Sequence, residues 1–226
     1  WCLLSTICHG FHTVPAVSSG HQTTGRRIRW IRRESSNYDD KDNDNDNNNN
    51  ISFFDLGLSP QLLTAVKSQP GWDHPTPVQR LAIPKLLELG ELASGDSTDA
   101  VWCEAPTGSG KTAAYALPLL QNLLPQTKRQ QQQQRRGRIS SLILCPTREL
   151  AVQIGSVIQN LANNLSSTRK RPEVLVLYGG TPLEPQIASL ADAARKGQTV
   201  DVLVATPGRL VDVLTYYHDK KGDSSA

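Results

Sequence analysis

The sequence predicts an α/β fold, a parallel sheet with helices on both faces, preceded by a tail that does not fold with it. Three observations carry this. From Ile51 onward, short β-branched and apolar runs alternate with helix-forming runs, the pattern of strands joined by helical crossovers. Val174-Leu175-Val176-Leu177 shows no polar alternation, as expected of a strand covered on both sides. Residues 39–50 are Asp and Asn apart from one Lys, too little apolar surface to offset the entropy of ordering them.

The elements follow in order. Helices are expected near 59–68 and 77–93, then a strand over 100–104 and a helix from Lys111. A strand at 140–145, a helix from 147, a strand at 173–178, a helix near 183–195 and a strand at 200–205 complete the alternation. Residues 126–138, with glutamine at 130–134 and flanking Lys and Arg, read as a solvated surface insertion. The division is residues 1–50 as a disordered or targeting segment and 51–226 as one α/β domain. A chain of 226 residues has room for one such domain and is short for two.

Ala105-Pro106-Thr107-Gly108-Ser109-Gly110-Lys111-Thr112 sits between the strand Ala100-Val101-Trp102-Cys103 and the helix-forming Ala113-Ala114-Tyr115-Ala116-Leu117. That is the strand–loop–helix setting of a phosphate-binding loop. Glycines let successive backbone N–H groups point inward at phosphate oxygens, and the helix N-terminus adds its dipole. Lys111 is placed for the β- and γ-phosphates and Thr112 for Mg²⁺. A flexible Gly/Ser loop would account for neither the Gly-Lys-Thr order nor its flanks. The chain is expected to bind a nucleoside triphosphate. The widest form of the motif has glycine where this chain has Ala105; Ala there, with Thr107, resembles the loop of superfamily 2 helicases.

Composition bounds the rest. No apolar run approaches a membrane span, so no membrane partner is expected. A net charge of +3 permits a polyanionic partner without demanding one. Cys2, Cys8, Cys103 and Cys145 form no Cys-x-x-Cys pair; Cys103 and Cys145 end strand-like runs and read as buried thiols in a reducing compartment. Residues 1–33 contain no Asp or Glu but carry Arg26, Arg27, Arg29, Arg32 and Arg33. This fits a mitochondrial or plastid transit peptide, a basic nuclear-localisation or RNA-binding patch, or plain disorder.

In a parallel sheet all strands end at one edge, where ligands bind. Three segments reach it: Pro146-Thr147-Arg148-Glu149-Leu150-Ala151-Val152-Gln153, Gly179-Gly180-Thr181-Pro182 and Thr206-Pro207-Gly208-Arg209. The threonines are natural N-caps, Pro182 and Pro207 fit the first helical position, and Thr181 with Glu184 makes a complete capping box. Capping does not account for Arg148 and Arg209, cations in a first helical turn that the helix dipole opposes. A polyanion lying along the edge would reverse the sign at both, and the Gly-Gly allows close backbone approach. The edge reads as a nucleic-acid backbone track.

Upstream, Thr76-Pro77-Val78-Gln79 is itself a capping box. In company with the rest it becomes more specific: Gly71–Gln79 resembles the Q motif of DEAD-box RNA helicases, with Phe54 as the isolated upstream aromatic. Ala105–Thr112 resembles motif I, Pro146–Gln153 the PTRELA motif, Gly179-Gly180 the GG motif and Thr206–Arg209 the TPGR motif, over residues 51 to about 217. The resemblance implies a RecA-like domain of an ATP-dependent RNA helicase. It implies that Gln79 bonds the adenine edge with Trp72 and Phe54 packing nearby. It also implies that Ala105, Thr107, Gly108, Ser109, Gly110, Lys111 and Thr112 hold ATP and Mg²⁺, Lys111 and Thr112 being the catalytic members. Pro146, Thr147, Arg148, Gly179, Gly180, Thr206, Gly208 and Arg209 would grip RNA phosphates and sugars, with little sequence preference, in a protein expected to act as a monomer.

The family's Asp-Glu-Ala-Asp and Ser-Ala-Thr segments occur nowhere in these residues. Asp201 and Asp212 are not substitutes, one lying at the wrong end of its strand and the other reading as a solvated helix residue. The sequence is expected to be a helicase fragment with little turnover of its own. A non-catalytic, nucleotide-gated RNA clamp is the alternative.

Overall fold

A computed structural model of the chain describes residues 3–5, 28–32, 51–92, 100–124, 139–166, 171–196 and 200–223. They fall into two compact units, one built mainly from 123–163 and 169–226 with residues 1–11, the other from 12–122 with 164–168.

The first unit holds a four-stranded sheet. Its strands are β1 (Leu3–Ser5), β4 (Ile139–Leu144), β6 (Val200–Ala205) and β5 (Val174–Leu177), in the spatial order β1-β4-β6-β5. β4, β6 and β5 are parallel, with Leu144, Ala205 and Leu177 level at their C-terminal ends. β1 adds an antiparallel edge. Helices α4 (Arg148–Asn163), α5 (Glu184–Arg195) and α6 (Pro207–Asp223) complete the unit.

Both faces of this sheet are covered, because side chains alternate along each strand. Leu175, Leu177, Leu203 and Ala205 share one face and pack with Ile187 and Ala193 of α5 and Val213 of α6. Val176 points the other way and meets α4 at Gly155, where an added Cβ would lie 2.4 Å from Val176 Cγ2. Only glycine lets this helix approach so closely. α4 buries Ala151, Ile154, Gly155, Ile158, Leu161 and Ala162, the i, i+3, i+4, i+7 stripe of a helix lying on a sheet.

In the second unit β2 (Ile28–Arg32) pairs in parallel with β3 (Ala100–Glu104). A single 3₁₀ turn (Phe54–Leu56) precedes α1 (Pro60–Lys67), α2 (Pro77–Leu92) and α3 (Lys111–Leu123). Ala82 of α2 and Ala114 of α3 pack with Val101 and Cys103 of β3, which fixes the loop between β3 and α3.

Within residues 1–50, expected to lack structure, Leu3–Ser5 and Ile28–Arg32 are strands. Each is a short stretch with Leu, Ile or Trp at most of its positions, able to add to a sheet edge, which the overall composition of the tail hides. The acidic run at 39–50, the Gln-rich insertion, Cys2 and Cys8 lie outside the described residues.

Candidate functional site

The loop after β3 curls as a phosphate cradle must. Gly108 and Gly110 have φ of 79° and 90°, a left-handed backbone that L side chains rarely adopt. The Lys111 ammonium folds over the loop and donates to the carbonyls of Ala105 and Pro106. It is thus held at the loop by groups that an incoming phosphate could replace. Gly108 faces open space on its Cβ side, whereas a Cβ on Gly110 would lie 2.4 Å from Gln79 Nε2.

Gln79 is 4% exposed and joins two structures. Its Oε1 accepts from the Thr76 backbone N–H at 2.9 Å, the half of the capping box that folds back on the cap. Its Nε2 donates to the Gly110 carbonyl at 3.2 Å. The Thr76 hydroxyl donates to the Ser109 carbonyl at 2.8 Å rather than closing the box on its own helix. The start of α2 and the phosphate loop are therefore one hydrogen-bonded body. An amide has two donors and several lone pairs, so the Gln79 side chain keeps one N–H and acceptor capacity for a ligand.

The aromatic neighbours differ from expectation. Phe53 is 5% exposed and Phe54 71%, and it is the Phe53 ring that lies near-parallel to Trp72, with centroids 6.4 Å apart. In a run of two phenylalanines the sequence does not say which turns inward. The 3₁₀ turn decides it, with Asp55 Oδ2 accepting from the Ser52 N–H at 2.8 Å and hydroxyl at 2.7 Å. These bonds hold the exposed Asp55 carboxyl below its usual pKa, the backbone bond contributing most. A pocket of about 370 Å³ is lined by both phenylalanines, Trp72, Leu63, Val66, Lys67, Ser52 and Asp73. Gln79 is not among its walls.

Gln121, near the end of α3, was also invisible to motif reasoning. It accepts from Ser59 N–H at 2.7 Å and donates to the Gly57 carbonyl at 3.0 Å, tying the phosphate-loop helix to the segment that follows the aromatic turn. Cys103 stands beside the loop; burial raises its thiol pKa, offset in part by the Lys111 charge.

In the other unit, the three strand-end segments come level. Pro146, Thr147 and Arg148 are exposed, and the Thr147 hydroxyl caps α4 by accepting from the Leu150 N–H at 3.3 Å. The Arg148 guanidinium lies over the Tyr178 ring at 4.9 Å. Gly180 has φ of 80°, and a Cβ there would sit 3.4 Å from Arg148 Nη1. Gly179 and Gly208 face open space; Thr206 is half-buried, with Pro207 opening α6 as expected.

Arg209 is placed differently from a free phosphate ligand. It is 7% exposed, and Nη2 donates to the Thr181 carbonyl at 2.7 Å and Nη1 to that of Pro182 at 3.5 Å. Its Nε lies 3.4 Å from Asp212 Oδ2 but without hydrogen-bond geometry. The dipole penalty at the start of α6 is thus met from within the protein. The Thr181–Glu184 capping box does not form either: α5 begins at Glu184 with no side-chain cap. Thr181 turns instead to the Tyr178 carbonyl and to Gln186. Asp201 accepts from the Glu173 N–H at 2.8 Å through Oδ2, a structural tie at the strand start.

The DEAD/DEAH box helicase family matches over residues 76–224. The chain belongs to this family. The ATP-dependent RNA helicase DeaD of Escherichia coli (strain K12) is 37% identical over 163 residues, or 72% of this chain and 21% of the relative's length. Among solved structures, Mss116p bound to single-stranded RNA and AMP-PNP matches with a TM-score of 0.59 at 26% identity, covering 86% of this chain and 33% of that one. The yeast DEAD-box splicing factor Prp28 matches with a TM-score of 0.50 at 28% identity, covering 72% and 34%. The parallel sheet with its helices is the RecA-like fold of DEAD-box domains.

The loop's fit to a triphosphate rests on its own geometry: left-handed glycines, open space at Gly108 and a Lys111 ammonium held at the loop by the Ala105 and Pro106 carbonyls. Thr112 can offer a single hydroxyl to Mg²⁺. Among the described residues no group of three His, Cys, Asp or Glu could hold a metal, so most of the ion's ligands would be phosphate oxygens and water.

Proposed function

We propose that this chain carries the nucleotide-binding part of an ATP-dependent RNA helicase, coupling ATP binding and hydrolysis to a grip on RNA. One observation carries this: Gln79, the residue suited to an adenine edge, is hydrogen-bonded directly to the phosphate loop. An amide can pair with the N6 and N7 positions of adenine at once. Meeting that edge would pull on Gly110 and the cradle together, so base identity and phosphate grip are read by one body. When bound, ATP–Mg²⁺ supplies the phosphoanhydride and the charge neutralisation that hydrolysis requires.

Lys111 would leave the Ala105 and Pro106 carbonyls for the β- and γ-phosphates, Thr112 would offer its hydroxyl to Mg²⁺, and the N–H groups of Gly108 to Thr112 would line the anion. At the other site, Arg148, the glycines at 179 and 208 that face open space, and Gly180 packed close to the Arg148 guanidinium support backbone contact with RNA, which positions a strand without reading its sequence. Arg209 contributes by holding Thr181 and Pro182 in place.

Calorimetric titration of the purified chain tests the nucleotide half. ATP and ADP should bind and GTP much more weakly; Lys111→Ala should abolish binding, and Gln79→Ala should bring ATP and GTP together. Equal affinity for ATP and GTP in the unmodified protein would remove Gln79 from base recognition and leave a generic phosphate loop.

A further inference from the structure

The loop from Tyr178 to Pro182 is pinned by a side chain that no motif singles out. Gln186, in the first turn of α5, accepts from the Tyr178 N–H at 3.2 Å through Oε1. Its Nε2 donates to the Tyr178 carbonyl at 3.1 Å and to the Thr181 hydroxyl at 2.8 Å. β5 ends at Leu177, whose carbonyl still pairs with the Thr206 N–H at 2.9 Å. Gln186 therefore continues the strand's pairing by one residue with a side-chain amide, satisfying both backbone groups of Tyr178. The Tyr178 ring is the surface on which the exposed Arg148 guanidinium rests. Where Gln186 holds Tyr178 decides where that cation stands.

We infer that Gln186 is a positioning residue for RNA binding, acting through Tyr178 to aim Arg148 at the backbone of the bound strand. This rests on the proposed RNA role of the strand-end edge. Without the amide, the Tyr178 N–H loses its partner, the Tyr178 carbonyl keeps only the Thr181 hydroxyl at 3.4 Å, and the ring loses its fixed place. Arg148 would keep its charge but not its orientation, and a phosphate contact depends on both.

The test is fluorescence anisotropy of a labelled single-stranded oligouridylate with the full chain across a salt series. The far-ultraviolet circular dichroism spectrum of each variant, together with binding of a fluorescent ATP analogue, serves as the fold control. Gln186→Leu should weaken RNA binding about tenfold, the scale of one charge-assisted contact, and make the log–log salt slope shallower by about one. ATP-analogue affinity should stay unchanged. Arg148→Ala should do the same, and the double variant should bind no worse than Arg148→Ala alone.

If Gln186→Leu keeps wild-type affinity and slope while Arg148→Ala weakens both, Gln186 has no such role. An equal further loss on adding Gln186→Leu to Arg148→Ala would also overturn it, as that marks a general loosening. If neither single variant changes RNA binding, the edge does not bind RNA and the inference falls with it. Should Gln186→Leu fail the fold control, Gln186→Asn decides instead: it keeps the amide but is one methylene too short to reach both Tyr178 groups, and the same loss is expected.

Discussion

Gly108 and Gly110 share a left-handed backbone but differ in surroundings, and the difference separates two physical costs. Alanine at 108 meets open space, so Gly108→Ala should cost only the backbone term, about 1–2 kcal/mol. Alanine at 110 adds a Cβ 2.4 Å from Gln79 Nε2, which must break the Gln79–Gly110 bond or shift the loop, an overpacking cost of about 1–3 kcal/mol more. Denaturant midpoints should rank Gly110→Ala below Gly108→Ala, and calorimetry should find ATP binding lost in the former. Residue identities at this loop were legible because its chemistry tolerates few alternatives. The inward ring at 53 rather than 54 was not, because it depends on the Ser52–Asp55 turn and not on residue type.

At the scale of elements, the strands and helices from Ile51 onward follow the sequence pattern closely. Their periodicity records burial against a sheet with two covered faces. What the pattern missed are side chains that bind a neighbouring element. Thr181 and Glu184 have the spacing of a capping box, yet Thr181 bonds Gln186 and the helix starts later; spacing cannot show which partner wins. Arg209 likewise suggested an anion outside the protein and turns out to brace Thr181 and Pro182 from α6. The two edge arginines should therefore behave differently. Arg209→Ala leaves two carbonyls without their charged donor and should lower stability by about 2–3 kcal/mol, visible as a fall in Tm alongside weaker RNA binding. Arg148→Ala, at an exposed position, should weaken RNA binding with Tm nearly unchanged. Equal Tm losses would mean that Arg148 is as structural as Arg209.

For the whole molecule, family and fold were legible from five short motifs in order, whereas two strands inside the N-terminal fifty residues were not. ATP–Mg²⁺ should raise the Tm of the purified chain by mass action. Hydrolysis by these residues alone should be slow: no Asp-Glu-Ala-Asp segment stands among them, and groups around a transferred phosphoryl are worth orders of magnitude in rate. The central claim is that the chain binds a nucleotide at its phosphate loop and grips RNA by its backbone at the strand-end edge. The most direct measurement is equilibrium binding of the purified chain to several unrelated single-stranded RNAs over a salt series. The account predicts similar affinities for all of them, falling linearly on a log–log plot with a slope set by a few phosphate contacts. Binding that ignores salt, or that favours one sequence by orders of magnitude, would contradict it.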